Sequence, residues 1–162
     1  MGKKLTVQDI LEAKGKRKLT QVWVSGHDMA QACEGAGIDW LSVRLNGFEG
    51  ARAGAPNTFI TAANPRGSYN ASDSDAIKSG FSLMGAGADA IYMCAAPERI
   101  KAVAKEWIPV VGHVGFVPAQ ATWTGGFRAF GKTAAEAMKI YEATLAHQEA
   151  GAFAVEMEVV PH

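Results

Sequence analysis

His113 and Glu158 are the side chains with the most chemistry within reach. His113 lies in the run Pro109-Val-Val-Gly-His-Val-Gly-Phe-Val-Pro118, framed by Gly112 and Gly115. An imidazole changes charge near neutral pH, and glycines let a backbone bend sharply where a side chain leaves a strand. The spacing therefore predicts a strand that delivers His113 at its carboxyl end. Around Glu158, apolar Val155, Met157 and Val159 alternate with Glu156 and Glu158. Alternation puts both acids on one face of a strand. A solvated face accounts for them as well as a site does; buried together, they would repel and raise one carboxyl toward a useful base. Arg44, Asn64, Arg66 and Tyr92 fall at or near other strand ends. Guanidinium, amide and phenol groups suit a carboxylate ligand, although solvent exposure explains the arginines and turn chemistry explains Asn64-Pro65. Asp28 reads as the cap of the helix that follows it.

The elements that would position these groups follow from local signals. Thr6 caps a first helix through Ala13. Strands are expected over Leu19–Ser25, Asp39–Val43, Asn57–Ala63, Ala88–Cys94, Val110 onward and Phe153–Val159. Helices are expected over Met29–Ala36, from the Ser72 cap to Gly85 or Gly87, from Pro97 at its first turn, and from the Thr133 cap to Ala150. Ala36-Gly-Ile-Asp, Ala86-Gly-Ala-Asp and Ala150-Gly-Ala-Phe repeat one device. Each ends a helix at a glycine able to take positive φ and starts a strand two residues later. Strand–helix alternation requires a parallel sheet covered by helices. The architecture expected is α/β, a (βα)8 TIM-barrel type of which residues 1–162 show about six βα units in one domain. The Gly- and Ala-rich stretch 47–56 looks too short for a helical crossover.

Bulk properties narrow the function classes. The chain has 162 residues, 16 basic against 16 acidic side chains and hence no formal net charge. Nothing draws it to nucleic acid or an anionic membrane. No apolar run is long enough for a span, and no signal-type segment opens the chain. Cys33 and Cys94 lack ligand spacing and fit a reducing, cytoplasmic compartment. Trp123, Phe127 and Phe130 sit in a Gly-rich loop suited to a lid or subunit contact. Six strands in place of eight leave sheet edges that a homo-oligomer would cover.

The run 109–118, with Gly126-Phe127, Gly131-Lys132-Thr133, Glu149–Val155 and Glu158-Val-Val-Pro161, resembles the ketopantoate hydroxymethyltransferase family of the phosphoenolpyruvate/pyruvate barrel superfamily. Thr6–Lys14, Ser25–Asp28, Ala36–Asp39, Ala55-Pro56 and Ser68-Tyr69 match more loosely. The resemblance implies magnesium bound to a small 2-oxoacid, an enolate, and a one-carbon unit from methylenetetrahydrofolate. It places His113 on the family's active-site histidine and Glu158 on its proton acceptor. At the family's metal-ligand positions stand Leu45, Asn64 and Cys94, and Tyr92 replaces a lysine. These are poor ligands for a hard cation, while Arg44 and Arg66 reverse the local charge. The implied activity is hydroxymethyl transfer to a 2-oxoacid. The alternatives are a non-catalytic binding or assembly subunit, or a metal-free lyase or isomerase acting on a small carboxylate.

Overall fold

The computed structural model describes residues 4–63 and 71–161, so Asn64 and Arg66 lie outside the described residues. Six parallel strands form one sheet in sequence order: β1 Gln21–Val24, β2 Trp40–Arg44, β3 Phe59–Ala63, β4 Ala90–Tyr92, β5 Val110–Gly115 and β6 Ala154–Glu158. Sequential order with a helix between neighbours is the winding of a TIM-type barrel, and the sheet curls as a partial one. The helices are α1 Val7–Ala13, α2 His27–Gly35, α3 Phe48–Gly54, α4 Asp73–Gly85, α5 Pro97–Ala104 and α6 Ala134–Glu149.

Period-two alternation divides each strand between two environments. The outward side chains, Val24, Leu41, Val43, Ile60, Ala62, Ile91 and Val110, are buried with Ala30, Phe48, Ala51, Leu83, Ile100 and Val103 from the helices. The inner face is closed at its amino end by Trp40, Phe59, Ala90, Val111 and Phe153, over which α1 lays Ile10. Trp40 stacks on Phe153 at 5.9 Å, meets Phe59 edge-on, and donates its indole N–H to Thr61 Oγ1 at 2.6 Å. That plug leaves the opposite, carboxyl end of the inner face to polar groups.

The repeated helix ends are Schellman motifs. Gly37, Gly87 and Gly151 take φ of 77°, 99° and 96°. The next residue's N–H reaches back in each case: Ile38 to Cys33 O, Ala88 to Leu83 O and Ala152 to His147 O, each at 3.0 Å. The residue after that ties the new strand down. Asp39 accepts from the Thr20 backbone, and Asp89 accepts from the Ile60 backbone while pairing with Arg52 and Lys4. In the third copy, Phe153 joins the aromatic plug instead. Thr6, Ser72 and Thr133 cap α1, α4 and α6 through their hydroxyls.

Two expectations need correction. A helix does bridge β2 and β3: a short 3-10 turn over Leu45–Gly47 runs into α3. It fits because Gly47, Gly50 and Gly54 press directly on the backbone around α2. A Cβ on Gly54 would lie 2.3 Å from His27 O, and one on Gly47 2.4 Å from Ser25 O. Absent side chains shorten the distance the crossover must travel. Asp28 is not a cap either: α2 begins at His27 with Gly26 as N-cap, and the Asp28 carboxylate pairs with His27 Nδ1 at 2.9 Å.

Candidate active site

Register brings the chemistry together at the carboxyl end of the inner face. In the β5–β6 ladder His113 stands opposite Glu156, and Gly115 opposite Glu158. Both acids therefore share the inner face with His113. Glu158 Oε2 is 3.2 Å from His113 Nε2, and Glu156 Oε2 is 3.9 Å from Nδ1. His113 is not released at a strand end as its glycines suggested, because β5 continues to Gly115. Gly112 instead clears room on the outer face for the buried ring of His147, whose Cδ2 would lie 2.4 Å from a Cβ there. The bend falls at Gly115, with φ of 84°.

Hydrogen bonds fix the orientation of the imidazole. Nε2 lies 2.6 Å from Phe116 O, a group that only accepts, so the proton sits on Nε2 and is shared with Glu158. Nδ1 lies against the Tyr92 hydroxyl. The Tyr92 phenol is pushed far above its ordinary range, first by burial, then by its hydrogen bond to Glu156 and the charge of that carboxylate. It keeps its proton throughout the neutral range. Trp23 meets the Tyr92 ring edge-on at 6.3 Å across the small side chains of β2 and β3.

Exposure separates the roles. The His113 side chain is 2% exposed, Glu158 31% and Glu156 48%. Both imidazole nitrogens are committed to protein groups, whereas Glu158 presents an oxygen to solvent. The arrangement supplies an outward carboxylate held by a buried N–H donor, the form a positioned general base takes. The two acids are not buried together, so the condition for mutual repulsion is not met. Sequence reasoning missed the tyrosine–histidine–carboxylate network; its signal was the alternation that aligns Glu156 with Glu158.

The remaining candidates are spread along the same rim. Arg44, the last residue of β2, is exposed on the inner face in the row Arg44–Ala63–Tyr92. Leu45 opens the 3-10 turn, and Cys94 follows β4, partly buried. On the outer side, a cavity of about 580 Å³ lies between β5, α5 and α6, lined by Pro97, Val114, Phe130, Ile140 and His147 among others. His113 and Cys94 also line it, whereas Glu156 and Glu158 do not. In the loop beyond β5, Phe116 packs edge-on against Phe127 at 4.8 Å, and the Arg128 guanidinium covers Phe130 at 4.1 Å. Trp123 is exposed.

A curled parallel sheet wound in sequence order, with polar groups at its carboxyl rim, belongs to the α/β-barrel class. Solved structures of similar shape agree. The fold superposes on 2,3-dimethylmalate lyase, a PEP mutase/isocitrate lyase superfamily member, with TM-score 0.66 at 14% identity, covering 95% of this chain and 64% of that one. It matches phosphonopyruvate hydrolase equally, with TM-score 0.66 at 15% identity, again covering 95% and 64%. Residues 47–162 match the family described as ketopantoate hydroxymethyltransferase, and the chain belongs to that family. The 3-methyl-2-oxobutanoate hydroxymethyltransferase of Kosmotoga olearia is 32% identical over 96% of this chain and 67% of its own length. That of Alkaliphilus metalliredigens is 32% identical over 99% and 66%, and that of Thermus thermophilus 31% identical over 96% and 69%. The chain thus spans about two thirds of the length of the curated relatives it matches.

The family implies a divalent metal, and the donors present do not fit a hard one. Among the described residues no group of three or more His, Cys, Asp or Glu side chains converges as a metal site. The segment 64–70 (NPRGSYN) contains no carboxylate to add. At the carboxyl rim, Leu45 offers no donor and Cys94 only sulfur, whereas magnesium requires anionic oxygen. Among the described residues no helix is long and apolar enough to cross a membrane.

Proposed function

We propose that the chain catalyses hydroxymethyl transfer to a small 2-oxoacid, with methylenetetrahydrofolate as the one-carbon donor. The observation that carries this reading is the 3.2 Å contact between Glu158 Oε2 and His113 Nε2 on neighbouring strand ends. Glu158 takes a proton from the carbon next to the keto group. The electron pair released forms a bond to the methylene carbon, and both C–N bonds to the folate break. Water supplies the hydroxyl, and the folate nitrogens take the second proton of that water and the proton held by Glu158 as tetrahydrofolate departs. His113 acts as a positioning residue, since its Nε2–H holds the carboxylate toward substrate while Tyr92 fixes the ring from Nδ1. Tyr92 and Arg44 bound the space where the substrate carboxylate would lie.

The test has two stages. Incubating the chain with 3-methyl-2-oxobutanoate in D2O, without folate, should exchange the C3 proton at a rate well above buffer, followed by NMR. Adding methylenetetrahydrofolate should then yield the hydroxymethylated acid by mass spectrometry. A chain that does neither is better described by the second reading, a non-catalytic binding subunit, which Leu45 and Cys94 at the metal-ligand positions favour. The exposed Met138, Tyr141 and Leu145 along α6 support a homo-oligomer, and a cytoplasmic location fits cysteines that form no disulfide. Light scattering at a single-chain mass would reject the oligomer.

A further inference from the structure

The mismatch between the implied metal and the donors present points to a different way of holding the substrate. We infer that the Arg44 guanidinium, facing Tyr92 across Ala63, binds the 2-oxoacid carboxylate directly and makes substrate binding independent of a divalent cation. The inference rests on the 2-oxoacid reading above.

The geometry is set by register. Arg44, Ala63 and Tyr92 are direct partners along three adjacent strands. Neighbouring strands lie about 4.8 Å apart, so the Cα atoms of Arg44 and Tyr92 are separated by about 10 Å. The side chain between them is only a methyl group, so among the described side chains a slot is left between the two in this row. Arg44 makes no ion pair or hydrogen bond with any described residue and is exposed on the face that carries the acid–base cluster. The other arginines of the described chain are committed elsewhere: Arg17 to Asp39, Arg52 to Asp89, Arg99 to Asp73 and Arg128 to Glu136. A planar guanidinium can take both oxygens of a carboxylate at once, which a hydroxyl or amide cannot do.

The surroundings favour a cation there. Glu156 and Glu158 concentrate negative charge on β6, four strands from Arg44 in the sheet, and Glu158 must remain able to accept a proton beside an anionic substrate. A fixed positive charge across the slot offsets that repulsion and orients the keto carbon toward Glu158. The Trp23 ring, edge-on to Tyr92, forms an apolar floor for the alkyl group of the acid. Holding an anion without a metal needs only this charge and shape, and no proton or electron moves in the binding step.

Isothermal titration of the full chain with 3-methyl-2-oxobutanoate tests the inference, in EDTA and in magnesium chloride. The expected result is the same Kd within about twofold in both buffers, and at least a tenfold weaker Kd for Arg44→Met in both. Arg44→Lys should recover only part of the loss. Arg44 is exposed, and unchanged far-UV circular dichroism would show that the variants remain folded. Binding that needs magnesium, binding untouched by Arg44→Met, or no binding in EDTA would each overturn the clamp. Arg44-dependent binding in EDTA without C3 exchange or product would overturn the transferase reading instead and leave the clamp standing.

Discussion

Glu158 and His113 divide one task between them because of where each side chain ends. The imidazole is walled in by Phe116 O, Tyr92 and two carboxylates, so it can hold but cannot reach. Glu158 can reach. Glu158→Gln keeps the shape and an acceptor oxygen for His113 while removing the base. The expected outcome is a fall of about 10²- to 10⁴-fold in C3 proton exchange, the usual worth of a positioned general base, with little change in 2-oxoacid Kd. An exchange rate within about threefold of the parent would remove Glu158 from the chemistry. The pairing of His113 with Glu158 was legible in the sequence through the resemblance alone. The involvement of Tyr92 and Glu156 was not, because which phenol meets which imidazole depends on strand order and stagger rather than on neighbouring letters.

At the scale of elements, most of the strand–helix order was legible, since caps and helix stops are local. The Schellman glycines differ in what surrounds them, which separates backbone cost from packing cost. Gly87 has φ of 99°, and a Cβ added there would meet only Arg52 Cγ within 4 Å, at 3.8 Å. Gly151, with φ of 96°, would bring its Cβ to 2.9 Å from Ala104 Cβ. Gly87→Ala should therefore cost little beyond the left-handed backbone, about 1–2 kcal/mol. For a chain of this size that corresponds to a fall of roughly 2–8 °C in Tm. Gly151→Ala should fall further in the same thermal melt; equal losses would mean the steric contact relaxes freely. The helix α3 escaped the sequence reading because a Gly-Ala stretch resembles a loop by composition. Its glycines at 47, 50 and 54 fall on one helical face, a pattern that acquires meaning only once α2 is known to lie against it.

Across the whole molecule, stability responds to acid through carboxylates that tie elements together. Asp39 anchors the start of β2 to Thr20 and Arg17; burial works against its ionised form, but these hydrogen bonds and the Arg17 charge outweigh it, so its carboxyl titrates below 3.8. Glu34 on α2 is lowered likewise below 4.5, burial again opposing and the bonds from Thr58 and Asn57 prevailing. A folded-state pKa below the unfolded one contributes stability that is present above the unfolded value and is lost as pH falls through the folded value. The contribution of these two groups should thus be constant from neutral pH to about pH 5 and decline progressively as pH falls further. Asp39→Asn should have a lower Tm than the parent at pH 7, and the gap should be smaller at pH 3, measured by calorimetry. A difference that persists unchanged at pH 3 would assign the effect to packing instead of ionisation.

Taken alone, the amino-acid order determined the alternation of strands and helices, the three hydroxyl caps and the glycine-terminated helix ends. Each of these is decided within a few residues by φ preference and side chain-to-backbone bonding. It also marked His113, Glu158 and Arg44 as candidates, relating the first two only through the family resemblance. Only the tertiary structure decided that β5 passes His113 without stopping, that Tyr92 and the two glutamates meet that imidazole, and that Arg44 faces Tyr92 over a bare methyl. Those proximities come from register and curl across strands far apart in the chain, where a shift of one residue would turn every side chain to the opposite face.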